Sequence, residues 1–468
     1  MKNGNTNLKD YDDNIIGKSM FQLDQAIATA PERYARESWG DGFDPIQRNR
    51  KFSLERIIKT VCALGADSLA IEAGKYADGG FSVSSLIAAR NKVPAELFYF
   101  ALRNFADSGE AYYYVAKSGA RRIPIAIDGT TVNVYPNIDP KDKTFVAAPK
   151  SKKGGYNLVS AVVMTNVLNR EVTDIQITPI RQQSEQGVAR FYIAWGDYKK
   201  DTVLIGDRNF STFGILASCL ETFSSDSSSQ KIDFVIRTKL GGFRALRHLP
   251  TDREFDLDAT ITLTKSLSKE AKQSGKVYVN TVRTDGKADR YLSELLQNGD
   301  YKMRLRVVSV KIGDGADEKE QFEWLLTSLS REEFSAEEIA ELYRLRWREE
   351  VFFRLVKHTI GLSYSAHTKE RMCEYQSIYA AFLTASLVSR IVNGITIPPS
   401  KRKRKYARAI DYKYATNEIK EYLRNGGDTE KLIERIASHT QAIRPNRKSA
   451  RPSPIPPKSY KQFGYRPL

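Results

Sequence analysis

Two short apolar stretches, each closed by an aspartate, constrain this chain more than any other feature. Ile123-Pro-Ile-Ala-Ile-Asp128-Gly129-Thr130 and Val203-Leu-Ile-Gly-Asp207-Arg208-Asn209-Phe210 both read as buried strands that end in an acid. In α/β sheets the carboxyl ends of strands are where ligands and reactive groups assemble. A carboxylate closing an apolar strand is costly to desolvate unless something offsets its charge. A divalent cation does so, and Mg²⁺ takes only one or two carboxylates while keeping several waters. Gly129 is expected to let the backbone turn sharply after the first acid. The alternative is that each aspartate only caps a loop or a following helix.

The neighbouring sequence extends the α/β reading. Asn157–Thr165, Val172–Thr178 and Asp233–Lys239 read as strands, Ser184–Trp195 as a helix, and Pro136 to Tyr156 as a turn-rich basic stretch containing Lys150-Ser-Lys-Lys-Gly-Gly155. From about residue 240 to 322 the pattern alternates, as in Met303-Arg-Leu-Arg-Val-Val-Ser-Val, which predicts a β-rich insertion within the α/β domain. Phe322–Leu329 returns the chain to the core. Upstream, residues 1–50 are polar and mixed in charge and read as a loosely ordered arm. Leu54, Ile57, Ile58, Val61 and Leu64 carry a helical period. A helix at Ser85–Arg90, a turn at Asn91-Lys-Val93 and a helix opening at Pro94 are compatible with a helix-turn-helix DNA reader, and ordinary helical packing is the commoner source of such a pattern. The expected division is a helical DNA-binding region at 1–115, a catalytic domain at 116–393, and a helical, basic region at 394–468 for DNA binding or dimerisation.

A third element follows the insertion. Ser335 and Glu338 form a capping signature for a long helix reaching about Ile360. At about 100° per residue, Tyr343, Arg346, Glu350 and Lys357 fall within an arc of roughly 60°, with Arg354 on the same face. Leu345, Phe352, Leu355 and Val356 cluster opposite and are expected to pack on the sheet. One acid among several bases suits a metal-binding carboxylate beside phosphate contacts. A solvated face laced with pairs such as Arg346–Glu350 is the plainer alternative.

Charge narrows the class of partner. The net charge is +17, and from Ile391 to Leu468 there are 18 Lys/Arg against 6 Asp/Glu, so the last sixth carries +12 of it. Basic charge concentrated in this way fits a polyanion whose counterions are released on contact. Lys401-Arg-Lys-Arg-Lys405 is the densest block, and the Pro-rich end (RPSPIPPK) is not expected to fold alone. No apolar run approaches the roughly 18 residues of a spanning helix, and the polar N-terminus lacks a signal peptide's apolar stretch, so a cytoplasmic protein without membrane contact is expected. Cys62, Cys219 and Cys373 are read as reduced core cysteines.

At Tyr343-x2-Arg346-x3-Glu350-x6-Lys357 the chain resembles bacterial insertion-sequence transposases of the insertion-sequence-four family, whose YREK signature has this spacing. Asp128-Gly-Thr130 and Asp207-Arg-Asn-Phe210 resemble that family's two aspartate motifs, in the expected order, and the likeness covers roughly residues 50–390. The resemblance implies a ribonuclease-H-like fold in which Asp128, Asp207 and Glu350 bind two Mg²⁺ ions, with Mn²⁺ as a substitute. It implies DNA contacts by Tyr343, Arg346, Arg354 and Lys357, with Arg208 beside the second acid. Trp324 resembles the aromatic that stacks on a flipped base and accompanies hairpin ends, or else is strand core between Phe322 and Leu326. The implied partners are double-stranded DNA, as element ends and target, and a second copy in a synaptic homodimer.

Two other functions remain compatible with these residues. One is a ribonuclease-H-like, structure-specific nuclease that cleaves without strand transfer. The other is a domesticated DNA-binding protein that no longer cleaves, against which three intact acids argue.

Overall fold

The computed structural model describes residues 13–37, 52–135, 143–147, 156–196, 198–222, 231–239, 242–282, 289–311, 322–364, 370–399 and 405–444. The Lys150–Gly155 stretch, most of the Lys401–Lys405 block and the Pro-rich end lie outside them.

The run Ile123–Ile127 is the centre of a longer strand, β1 (Arg121–Asn133). It is followed by β2 (Tyr156–Asn166), β3 (Glu171–Pro179), β4 (Thr202–Gly206), β5 (Asp233–Thr238), β6 (Phe255–Thr264), β7 (Val277–Tyr278), β8 (Tyr301–Lys311) and β9 (Phe322–Thr327). Among the described residues these strands, with two-residue strands at Tyr114–Val115 and Val146–Ala147, form one mixed sheet of eleven strands. β3, β2 and β1 pair antiparallel in turn, whereas β1, β4 and β5 run parallel. β9 then pairs antiparallel with β5, β8 with β9, and β6 with β8. The predicted β-rich insertion is therefore an extension of the main sheet. Its hinge is the two-sided pairing of β9, which Trp324 to Thr327 make with Thr238 to Val235 on one side and Ser309 to Arg306 on the other.

Helices cover both faces, which is why the central strands are apolar throughout. On one face α6 (Glu185–Trp195) and α7 (Phe213–Leu220) pack on Ile123, Ile125 and Ile127 through Val188, Ile193, Ile215 and Leu216. On the other, α8 (Ala336–Leu345) sets Ile339, Leu342 and Tyr343 against Ala126, Val203, Ile205 and Val235. The same face of β2 and β3 carries a helical layer whose core joins both ends of the chain. It includes α1 (Ile15–Glu37), α2 (Leu54–Ala63), α3 (Leu69–Gly74), α4 (Val83–Arg90), α5 (Ala95–Asp107), α9 (Trp347–Arg354), α10 (Arg371–Gly394), α11 (Tyr412–Asn425) and α12 (Thr429–Ser438). Arg390 of α10 ties this layer to the sheet. Its guanidinium pairs with buried Glu171 of β3 and donates to Phe105 O of α5 at 2.8 Å.

Three expectations change here. Much of the arm at 1–50 is α1, a 23-residue helix with Ile16, Met20, Leu23, Ile27 and Ala30 buried. Its apolar positions form one narrow stripe among polar residues, so composition concealed it. Second, α4 and α5 are part of the helical packing. Leu97, Phe98, Phe100, Leu102 and Phe105 of α5 are core, and Arg90 of α4 is buried against Gln376 at 2.9 Å and Ser377 at 2.8 Å. Pro94 is the residue before that helix, not its first turn. Third, the element from Ser335 to Ile360 is interrupted. The capping box of Ser335 and Glu338 is formed, but α8 stops at Leu345, α9 begins at Trp347, and Leu355–Ile360 is a π turn. Cys62, Cys219 and Cys373 are all buried, in keeping with core cysteines, and none of them is in a disulfide. Among the described residues no helix is long and apolar enough to cross a membrane.

Candidate active site

The parallel register of β1 and β4 brings the two aspartates together. Ile127 stands opposite Gly206, so Asp128 and Asp207 are the next residues on adjacent strands, at the point where parallel pairing stops. Asp207 caps a single 3₁₀ turn (Arg208–Phe210), accepting from Asn209 N at 2.7 Å. Asp128 Oδ1 accepts from Gly129 N at 2.8 Å. β1 does not turn at Gly129, which remains in register with Val162 of β2, and the chain continues as strand to Asn133. Gly129 serves packing instead. A Cβ there would fall 2.0 Å from Oε1 of Glu185, which reaches over it from the start of α6.

The third acid arrives on α9. Arg346, at the junction of α8 and α9, donates to Glu350 Oε1 at 2.9 Å and lies 3.7 Å from Asp128 Oδ2. One guanidinium thus links the first and third predicted motifs, and it also lies 5.9 Å from the ring centre of Tyr343. Tyr343 itself is packed in the core beneath the site. Among the described residues no group of three or more acidic, His or Cys side chains stands together as a metal cage. The carboxylate of Glu350 is engaged by Arg346.

Electrostatics single out Asp128. Burial, together with the negative charges of Asp207 and Glu185, pushes its carboxyl up to about 6, against the pull of the Gly129 amide and Arg346. Burial and Asp207 also raise Glu185, while a 2.6 Å hydrogen bond donated by Asn209 Nδ2 opposes the rise. Glu349, next to Glu350, is completely buried and held well above the usual carboxylate range by that burial. Its Oε1 accepts from Thr165 Oγ1 at 3.0 Å, and its Oε2 has no hydrogen-bond partner. Carboxylates of this kind, with Asp128 half-buried and its neighbours Asp207 and Glu185 also negative, are chemically suited to a hard dication with oxygen ligands.

The remaining predicted residues divide. Arg208 and Arg354 are exposed, the first beside Asp207 and the second one turn beyond Glu350; Lys357 is half-buried in the π turn, its ammonium lowered by burial. Trp324 takes the strand-core reading. It has no exposure, packs edge-on against Phe255 with ring centres 5.8 Å apart, and sits among Ile236, Val307 and Leu326. An indole enclosed between strands has no face to offer a base. Trp347, immediately after Arg346, is 53 % exposed and has such a face. Glu185, Glu349 and Trp347 are the site's residues that the sequence reading missed. A clue to Glu185 was its place just after the N-cap Ser184, and Glu349 falls on the helical projection between Phe353 and Val356, where an apolar residue is expected.

Residues 119–372, more than half of the chain, match the family model described as the transposase DDE domain. The chain belongs to that family of DDE-domain transposases. Two relatives illustrate its neighbourhood: the transposase InsL for insertion sequence element IS186A of Escherichia coli (strain K12) and the transposase for insertion sequence element IS421 of Escherichia coli. Each is 38 % identical over 76 residues, which is 16 % of this chain and 20 % of the relative, so the match spans about a fifth of those proteins' length. Among solved structures, a piggyBac transposase synaptic complex with hairpin DNA aligns with 88 % of this chain and 78 % of its own at a TM-score of 0.39 and 9 % identity.

Proposed function

We propose that this chain cleaves DNA at the ends of its own mobile element and joins the freed 3′ ends to target DNA, with Asp128, Asp207 and Glu350 as the reacting site's acids. The observation that carries the reading is Arg346, which spans Asp128 and Glu350 beside the Asp128–Asp207 strand pair. The strand order β3-β2-β1-β4-β5, with β1 central and parallel only to β4, supports a ribonuclease-H-like scaffold. The Tyr343-Arg346-Glu350-Lys357 spacing supports placement in the insertion-sequence-four group.

Two Mg²⁺ ions, with Mn²⁺ as substitute, would be held by these three acids and supply activation of the attacking oxygen and stabilisation of the leaving oxygen. The chain's own groups do the rest. Arg346 engages Asp128 and Glu350 while DNA is absent, and its planar fork suits a phosphate once DNA arrives. Exposed Arg208 and Arg354 flank the acids and are placed to hold the backbone, and Trp347 offers the stacking face that Trp324 lacks. The remaining parts of the proposal are a synaptic homodimer on double-stranded DNA, hairpin or open ends as intermediates, and action in the bacterial cytoplasm.

The test is a denaturing gel of labelled element-end DNA incubated with the protein and Mg²⁺, with target DNA present. Nicks and joined products are expected, both lost in Asp128→Ala and Glu350→Gln. Cleavage that persists in those variants rules the site out. Nicks that never join to target would favour the structure-specific nuclease.

A further inference from the structure

The two aspartate motifs are bridged by a residue that belongs to neither. Ser184 caps α6 and accepts from Gly187 N, and so holds the first turn of the helix, with Glu185 in it, at the end of β1 and β4. From there Glu185 makes two separate engagements. Oε2 accepts from Asn209 Nδ2 at 2.6 Å, and Gln186 Nε2 donates to Asn209 O at 2.8 Å, so α6 grips the turn that Asp207 caps. Oε1 lies over Gly129, where a Cβ would sit 2.0 Å from it and 2.4 Å from Cδ. A side chain at Gly129 would push that carboxylate aside, and with glycine there a third negative charge is brought to Asp128 and Asp207.

Such an arrangement is costly by itself, because like charges are assembled at a partly buried point. The second observation lies on another element. Glu349 is completely buried on α9, its Oε2 is unpartnered, and its charge is coupled to that of Asp128. Asp128 is thus coupled to Glu185 of α6 on one face of the sheet and to Glu349 of α9 on the other, and Arg346 lies 3.7 Å from it.

We propose that Glu185 is a fourth acid of this site, a positioning residue that sets the Asp207 turn and contributes negative charge to the binding of a divalent cation, and that Gly129 exists to admit it. The inference rests on the reading of Asp128 and Asp207 as cation-binding acids. It departs from the three-acid reading by placing part of the cation's hold on α6.

The experiment measures Mn²⁺ binding to the full chain without DNA, by the loss of the free Mn²⁺ paramagnetic resonance signal, and the melting-temperature gain on adding Mn²⁺. Glu185→Gln keeps the shape and the Asn209 contact while removing the charge. It is expected to weaken Mn²⁺ about 10-fold or more, in the range typical of groups supporting metal ligands, and to shrink the Mn²⁺-induced melting gain. Gly129→Ala should reproduce the loss, and adding it to Glu185→Gln should cost little more, because both act through one carboxylate. Glu434→Gln, on distant α12, serves as the control for charge alone. Wild-type Mn²⁺ affinity in folded Glu185→Gln, with binding still abolished by Asp128→Asn, would overturn the fourth acid and leave the underlying site standing. Full additivity of Gly129→Ala with Glu185→Gln would overturn the role given to Gly129. Failure of the unmutated chain to bind Mn²⁺ would overturn both readings.

Discussion

Thr165 donates a 3.0 Å hydrogen bond to Glu349 from the strand beside the one that carries Asp128. It fixes one oxygen of a carboxyl that has no exposure, and the other oxygen has no partner. A carboxyl kept in that state resists ionisation in the fold and not in the unfolded chain. Its folded pKa therefore lies above the ordinary 4.5, and the unfolded state loses the proton first as pH rises. Stability should then fall with rising pH from about that value upward, until the folded group ionises too. Glu349→Gln keeps the acceptor for Thr165 and has no proton to lose. Melting curves from pH 4 to 8 should be flatter for the variant and converge with wild type at the acid end. Parallel curves would refute this account of Glu349.

Arg346 carries a different expectation, because it joins two groups that both face solvent in part. Arg346→Ala should change stability by about 1 kcal/mol or less, the usual scale for partly exposed pairs. Strand cleavage should fall on the order of 100-fold, as it does when a preorganised donor at a reacting group is removed. Arg346→Lys should recover little, since a single ammonium cannot span Asp128 and Glu350. Near-normal cleavage rates in Arg346→Lys would contradict the bridging role.

The two tryptophans near the site should separate cleanly. Trp324→Ala empties a core position and should cost about 3–5 kcal/mol in denaturant unfolding. Trp347→Ala should leave unfolding unchanged and weaken binding of element-end DNA by about 1–3 kcal/mol, the scale of one stacked base. A stable Trp324→Ala protein with altered DNA ends would reverse the assignment.

Lys420 of α11 is buried and donates to Ile360 O at 2.7 Å, at the end of the π turn, and to Leu64 O at the end of α2. Burial lowers its ammonium from 10.5 to about 8. Below pH 8 both folded and unfolded chains hold the proton, and the desolvation penalty is fully present. Between about 8 and 10.5 the unfolded chain binds more protons, so wild-type stability should rise with pH relative to Lys420→Met. At pH 7 the variant should be less stable by about 1–3 kcal/mol, because two carbonyls lose their donor. Equal stability of the two proteins across pH 7 to 10 would show that Lys420 contributes nothing to this junction.

The strands and acids of the core were legible in the sequence for a local reason. A short apolar run rich in β-branched residues reads as a covered strand, and an acid at its end stands out against that background, so β1, β2, β3, β4, β5 and α6 lie close to where the patterns put them. The capping box at Ser335 is equally local and is formed as expected. α1 was not legible, because its buried stripe gains meaning only from α5 and α10, which it packs on. The break at Arg346 and the π turn after Arg354 also escaped, since an angular projection assumes a regular helix throughout.

The site shows the same division between residue identity and residue neighbours. The amino-acid order alone determined that Asp128, Asp207 and Glu350 stand out chemically, that Arg346 is four residues from Glu350, and that the chain is strongly basic. Only the tertiary structure decided that Arg346 also reaches Asp128, that Trp324 is walled in by Phe255, and that Gly129 makes room for Glu185 instead of turning the chain. Those outcomes depend on strand register and on which helix covers which face. Register and layering are set by the summed burial of many side chains far apart in the chain, and no short window of sequence contains that sum.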